Sequence, residues 1–183
     1  KLAKRSDAMN VYNESQNASV SGTAPAQLYY DGVSMNAIWA VRSLGIDPHN
    51  GREIYLSSRG LPTYNWSAAD QVVLGDEMPK FQGTGGISFE WKGIGGNASF
   101  TFQYGAQMYN TTLVQKVENA NLSDNVDARL FDGVWRPGEG GVKPYRAPRY
   151  RDPSTGNWVT PETKPTSRFV QDRNEFALTN LSL

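Results

Sequence analysis

The stretch Gly86 to Tyr104, GISFEWKGIGGNASFTFQY, alternates apolar and polar residues on both sides of a glycine-rich reversal, and no other part of the chain restricts the fold as much. Ile87, Phe89 and Trp91 fall on one side of the first run, with Ser88, Glu90 and Lys92 on the other. After Gly93-Ile94-Gly95-Gly96, the residues Ala98, Phe100, Phe102 and Tyr104 share a side opposite Asn97, Ser99, Thr101 and Gln103. Successive side chains of a strand point to opposite sides of a pleated ribbon, so a period of two on both arms predicts an antiparallel hairpin with one apolar and one polar face. The glycines supply the positive φ angles that such a reversal needs.

Two environments produce this pattern, and they differ in what the apolar side touches. In a soluble sandwich it covers a protein core; in a membrane barrel it faces lipid while the polar side lines a wet interior. Trp91 near the turn and Tyr104 at the far end fit the aromatic girdles at the two edges of a bilayer, although aromatic residues are also common in soluble strands.

The rest of the composition narrows the class. With 183 residues the chain is long enough for one domain, or one and a small extra piece. A formal net charge of zero without a basic stripe argues against nucleic acid as a partner. Having no cysteine, the chain can form neither disulfides nor thiolate metal sites. No run of apolar residues is long enough for a transmembrane helix, which leaves a β-barrel untouched because its strands are short and only alternately apolar. A hydrophobic fraction of 38% with 18 glycines and 10 prolines reads as loop-rich β protein. Lys1-Leu2-Ala3-Lys4-Arg5 is basic but leads into Ser6-Asp7 rather than an apolar run, so it does not read as a signal peptide, and an exported protein would need a leader ahead of it.

Residues 2–13 predict a short amphipathic helix with Leu2, Met9 and Tyr12 on one side, followed by a Ser/Asn/Thr/Ala loop from Asn13 to Ala26. Tyr29 to Ser43 is apolar without a single period. Asp47-Pro48-His49-Asn50-Gly51 predicts a turn before an extended Arg52–Leu56 run, and the same chemistry returns at Asp152-Pro153-Ser154-Thr155-Gly156; both are expected as surface hairpins. A calcium loop at Asp47 lacks the alternating Asp ligands and the closing Glu. His49, the sole histidine, has no second histidine or cysteine to share a metal.

Beyond Tyr104, Leu113, Val114 and Val117 in one segment and Val126, Leu130, Phe131 and Val134 in the next recur at helical spacing, predicting two short helices. Coil follows from Pro137 to Pro165, and extended character returns at Ser167-Arg168-Phe169, with its alternation slipping near Asn180. One connection is therefore a tight turn and the other is about sixty residues long, the asymmetry of outer-membrane barrels, whose periplasmic turns are short and whose outer loops are long.

Several longer phrases carry a resemblance. AIWAVRSLGIDPHNGREIYL (Ala37 to Leu56), YNWSAADQVVLGDEMPKFQGTGGISFEWKGI (Tyr64 to Ile94), SFTFQYGAQMYNTTLVQKVENA (Ser99 to Ala120), DARLFDGVWRPG (Asp127 to Gly138) and KPTSRFVQDRNEFALTNLSL (Lys164 to Leu183) resemble the C-terminal barrel region of the SusC/RagA family of TonB-dependent outer-membrane receptors. The resemblance implies an all-β chain, an antiparallel segment of a large transmembrane barrel with long extracellular loops that carry short helices. It implies the outer membrane of a Gram-negative, Bacteroidetes-type bacterium. The implied task is active import of large nutrients, oligosaccharides or peptides, with a SusD-like surface lipoprotein as lid and the TonB complex engaged by parts that this chain does not match. Neither catalysis nor a cofactor is implied.

On that architecture residues 1–80 are an extracellular region leading into a strand, 81–104 a barrel hairpin, 105–166 a long extracellular loop and 167–183 the start of the next strand. Lys92 to Gly96 becomes the periplasmic turn. Ile87, Phe89, Phe100 and Phe102 face lipid, and Ser88, Glu90, Ser99, Thr101 and Gln103 line the lumen. Three strands cannot close a cylinder, and unpaired backbone in lipid costs several kcal/mol per group, so the neighbouring strands are expected from the rest of a parent protein. Candidate contacts for substrate or lid are Tyr109, Trp135, Tyr145 and Trp158, since aromatic faces stack on sugars and anchor interfaces; the plainer expectation packs Trp135 and Phe131 against the loop's own helices.

Two other classes compete. A soluble extracellular glycan-binding β-domain would suit the seven Asn-x-Ser/Thr triplets, among them Asn17-Ala18-Ser19 and Asn97-Ala98-Ser99. An enzyme has less support, because Glu53, Glu90 and Glu118 are scattered without a spacing that pairs them as acid and base.

Overall fold

The computed structural model describes residues 2–19, 22–121, 123–152 and 155–182. Its longest strands are β6 (Phe81–Trp91), β7 (Ile94–Tyr109) and β10 (Val170–Ser182), which form an antiparallel sheet in the order β10-β7-β6. The reversal between β6 and β7 is tighter than the sequence suggested. Trp91 pairs with Ile94, so the turn is Lys92-Gly93 alone, with φ angles of 52° and 84°. Two successive positive φ values define the primed turn whose twist matches that of the flanking strands. Gly95 and Gly96 belong to β7, and the ring of Phe89 lies over Gly96 where a Cβ would stand. β7 also runs on past Tyr104 to Tyr109.

Pairing puts Ile87 beside Ala98, Gly85 beside Phe100 and Gly83 beside Phe102, so the apolar sides of both arms coincide. Gly83 and Gly85 are needed because the Phe102 and Phe100 rings lie flat across the neighbouring strand and fill the space of a Cβ. β10 extends the same side with Phe176, opposite Phe102, and Leu178, opposite Phe100; the Phe100 and Phe176 rings stack at 5.2 Å. The slip near Asn180 is a bulge: register shifts between Leu178 and Asn180, which returns Leu181 to the apolar side opposite Ala98. A second irregularity sets Tyr104 and Gly105 of β7 against Asn174, with Gly105 at φ 80° and its N–H donating to Asn174 Oδ1. The Ser167–Phe169 segment is a single tight helical turn, not strand, and β10 starts only at Val170.

The hydrophobic core lies at the loop end of this sheet. Ile38, Tyr109, Leu113, Val114, Val117, Leu130, Val134 and Phe169 cluster there. Leu113, Val114 and Val117 come from α2 (Thr111–Leu113) and the wider turn that continues it (Val114–Glu118), and Leu130 comes from α3 (Arg129–Asp132). Leu113, Val114, Val117, Leu130 and Val134 are buried as the spacing predicts, while Val126 is half-buried and Phe131 points outward at 64% exposure; the second helix is a single turn, with Val126 and Val134 flanking it. β1 (Ala37–Val41) pairs with β5 (Gln71–Asp76). Ala37, Ile38, Ala40 and Val41 are all buried, so β1 is covered on both faces and needs no polar side; that is why its sequence shows no period.

β2 (Ser43–Ile46), β3 (Glu53–Leu56) and β4 (Pro62–Thr63) make a second small sheet, and β8 (Tyr150–Arg151) pairs with β9 (Trp158–Val159). The two Asp-Pro turns close identically: the Asp47 N–H donates to Arg52 O and the Gly51 N–H to Asp47 O, each at 2.8 Å, matching Asp152 to Asn157 at 2.9 Å and Gly156 to Asp152 at 2.8 Å. Pro153 and Ser154 of the second turn lie outside the described residues. The first is not a surface hairpin, since Asp47, Glu53 and Tyr55 are buried.

The N-terminal helix α1 spans Leu2–Ser19, longer than the sequence suggested, and takes in the first half of the expected loop. It carries no coherent apolar stripe, with Val11 65% exposed. Its anchor is Asn13, which is buried, donates to Tyr29 O at 2.7 Å and accepts from Tyr29 N at 3.0 Å, while the Tyr12 and Tyr29 rings meet at 5.4 Å.

Candidate functional site

The three-stranded sheet presents two faces of opposite chemistry. On one lie Phe81, Ile87, Phe89, Trp91, Ile94 and Phe102, with the stacked Phe100–Phe176 pair and Leu178; among the described residues nothing covers them, and Phe89, Trp91 and Phe176 are 57%, 67% and 71% exposed. On the other lie Ser88, Glu90, Ser99, Thr101 and Gln103, joined by Glu175, whose carboxylate accepts from Gln103 Nε2 at 2.9 Å. A shallow cleft of about 510 Å³ on this side is bordered by Gln82, Thr84, Thr101, Gln103 and Glu175.

Beyond the end of the sheet the chain buries a charge cluster. Arg168, just before β10, donates from Nε and Nη2 to the two carboxylate oxygens of Glu53 at 2.7 Å each, and from Nη1 to Glu118 Oε1 at 2.5 Å and Pro144 O at 2.8 Å. Glu118 also accepts from the backbone N–H of Arg146 at 2.9 Å and from Thr163 Oγ1 at 2.7 Å. Arg146 in turn donates to Glu162 O and Thr163 Oγ1, at 2.8 and 3.0 Å. Burial pushes the Glu118 carboxyl up, but Arg168 and Arg146 outweigh it and hold it below the ordinary range of a glutamate. Two carboxylates and two guanidinium groups make the cluster neutral, which is the condition for burying charge at all.

Sequence reasoning missed this cluster, and no local signal points to it: Glu53 and Arg168 are 115 residues apart, and Glu118 and Arg168 are 50 apart. It brings together two of the three glutamates that were set aside as scattered. Glu53 and Glu118 share Arg168 as structural anions, while Glu90 lies far off near the β6–β7 turn. The Asp47 carboxylate is likewise engaged, accepting from Tyr64 Oη, the His49 N–H and Asn50 Nδ2; the Tyr64 bond first and the His49 bond second hold its pKa down.

The four candidate contact aromatics separate. Tyr109 is buried edge-on against Phe169, at 5.9 Å between centroids. Trp135 is buried as well, its ring over Gly51 and its Nε1 donating to Pro48 O at 2.9 Å. Neither presents a face to a ligand, because each fills a joint between the loop and the strands below it. Tyr145 is half-buried and packs on Gly133, and its backbone N–H and C=O pair with Gly133 O and Trp135 N. Trp158 is the one presented outward, 62% exposed, with the Arg149 guanidinium over its ring at 4.4 Å.

The fold and these faces define a mostly antiparallel β chain, two-faced along its long sheet and capped at one end by a packed loop body. No family model matches the chain, and no curated protein matches it. Among solved structures it is similar to the RagAB peptide importer in the open-open state, with a TM-score of 0.60, 18% identity and 79% of this chain covered. A second structure of the RagAB peptide transporter aligns equally well, with a TM-score of 0.60 and 17% identity. In both cases this chain spans only 15% of the other. At that identity the likeness is one of fold, and it is the fold of the SusC/RagA-type receptor that the sequence resemblance names.

Proposed function

We propose that this chain is a segment of a nutrient-importing receptor in the outer membrane of a Gram-negative, Bacteroidetes-type bacterium. In this reading β6, β7 and β10 are three neighbouring strands of a closed barrel. Ile87, Phe89, Phe100 and Phe102 face lipid; Ser88, Glu90, Ser99, Thr101 and Gln103 line the lumen; the loop body stands outside the cell. The observation that carries the reading is the uncovered aromatic face, which water would leave exposed and which hydrocarbon would solvate.

Strand length agrees. The 11 residues of β6 extend about 36 Å at about 3.3 Å each, and a tilt of about 40° brings that near the apolar band of about 25 Å seen in such barrels. The outer edges of β6 and β10 have no partner among the described residues and would pair with strands contributed by the rest of the receptor. Likeness to RagAB supports peptides as the imported class, with oligosaccharides the other class that such receptors take, a SusD-like surface lipoprotein as lid and the TonB complex as the source of work. The chain binds and transports; it does not catalyse.

Phase separation of the full-length protein tests this against a soluble glycan-binding domain. The importer reading expects it in the detergent phase and in the outer-membrane fraction. Recovery of a monomeric, folded protein from buffer without detergent would end it.

A further inference from the structure

The strand β5 ends against the apolar side of the long sheet. β10 keeps its alternation from Asp172 to Phe176, so Asp172 shares a side with Phe176, and Gln107, its partner in β7, lies there too. The Gln107 amide donates to Asp172 Oδ1 at 3.3 Å and accepts the Asp76 N–H at 3.2 Å, while its aliphatic part fills the place of a Cβ on Gly75. The β1–β5 pair is therefore fastened to the side that carries the phenylalanines, not to the side that carries Gln103 and Glu175.

This end of the pair exposes two methionines. Ser34 to Ala37 is a turn closed by the Ala37 N–H donating to Ser34 O at 3.2 Å, and Met35 stands at its corner. The Glu77 N–H donates to Asn36 O at 3.0 Å, which brings Met78 alongside; Met35 is 70% exposed and Met78 54%. Of their polar neighbours, Asp76 accepts the Met78 N–H at 2.8 Å, and Asn36 and the exposed Glu77 border a small cleft beside Tyr109. Only Pro79 and Lys80 separate Met78 from Phe81, a reach of about 10 Å. Phe81 pairs with Tyr104 at the end of the sheet opposite the Lys92-Gly93 turn, and both rings are exposed. They form the outer edge of the apolar band, and the methionines stand just beyond it on the same side.

We propose that this rim of the loop body rests on the outer leaflet of the membrane, with Met35 and Met78 sunk among the lipid headgroups. The proposal rests on the importer reading and adds to it a lipid contact above the barrel band. Continuity selects the occupant, because the exposed apolar surface runs without a break from Phe81 and Tyr104 onto the methionines. A lid that closes the barrel's mouth stands over the polar side, which is the opposite one. Unbranched thioether side chains also adapt to an irregular boundary such as a headgroup layer.

The contact is read in the full-length receptor, on a background freed of other cysteines, in vesicles of phosphatidylethanolamine and phosphatidylglycerol. Met35→Cys and Met78→Cys, each labelled with the dye NBD, are expected to lose most of their emission when lipids with a headgroup nitroxide are included. A Thr155→Cys label in the second Asp-Pro turn keeps its emission. An Ile87→Cys label, quenched by a nitroxide on the acyl chain, reports the barrel reading itself. Labels at 35 and 78 that stay bright overturn the rim contact, whether they emit as in water or blue-shifted beneath a protein partner, and so does equal quenching at Thr155. With the Ile87 label quenched, each of these results leaves the importer reading standing; an Ile87 label that stays bright ends both.

Discussion

Arg168 ties three distant parts of the chain together, through Glu53, Glu118 and Pro144. It occupies both oxygens of Glu53 and bonds Glu118 from the other side of its fork, a geometry that lysine's single point of charge cannot reproduce. Arg168→Met strands two buried carboxylates, and a loss of about 3–5 kcal/mol is expected in chemical denaturation, with Arg168→Lys losing most of the same. The cluster also sets an acid limit. Glu118 is depressed in the folded state, so its contribution is complete above the ordinary glutamate value of 4.5 and is lost as pH falls below that through the folded value. Melting curves from neutral pH to about pH 3 should therefore fall less steeply for Glu118→Gln than for the native chain, although the variant starts lower. None of this was legible beforehand, because each member of the cluster is an ordinary charged residue in its own stretch and only chain closure over 115 residues joins them.

Among the elements, the two turns that were legible owe it to local chemistry. Asp-Pro-x-x-Gly closes through its own backbone at both sites, with Gly51 and Gly156 at φ 70° and 69°. What the motif could not convey is context, for Trp135 lies over Gly51 and turns a nominal surface hairpin into part of the core. Gly51→Ala meets both the left-handed backbone and the indole, and a destabilisation of about 2–4 kcal/mol is expected, read as faster proteolytic cleavage within the 136–165 loop; Gly60→Ala, at a similar φ with open space around it, should cost only about 1 kcal/mol. At the β6–β7 turn Lys92 holds a positive φ that asparagine tolerates better, so Lys92→Asn should stabilise the hairpin by a few tenths of a kcal/mol up to about 1 kcal/mol in the same assay. The full length of α1 is not legible in the sequence for a related reason: its anchor is one asparagine on the Tyr29 backbone, which leaves no periodic trace.

For the whole molecule, the question is what solvates each face of the long sheet. Phe100 and Thr101 are adjacent in sequence and opposite in direction, which makes them a matched pair. In a barrel, Phe100→Arg near mid-bilayer should cost about 2–4 kcal/mol and cut the heat-modifiable folded fraction in outer membranes, while Thr101→Arg on the wet side should assemble normally. In a soluble domain the two substitutions would exchange no such penalty with lipid, and Phe100→Arg would raise solubility. The hydrophobic core sits at the loop end, and among the described residues nothing covers the apolar side of the long sheet.

From the residue order alone came the hairpin, its two faces, both Asp-Pro turns and the short helices after β7, because each depends on spacing over a few residues and on backbone preferences that neighbours enforce. Tertiary structure alone decided that Tyr109 is a packing residue, that Trp135 is buried on the Pro48–Gly51 turn rather than on the loop's helices, and that Glu53, Glu118, Arg146 and Arg168 meet. Those outcomes depend on which distant segments come into contact, and a side chain's burial and electrostatics are fixed only once its neighbours from the rest of the chain are in place.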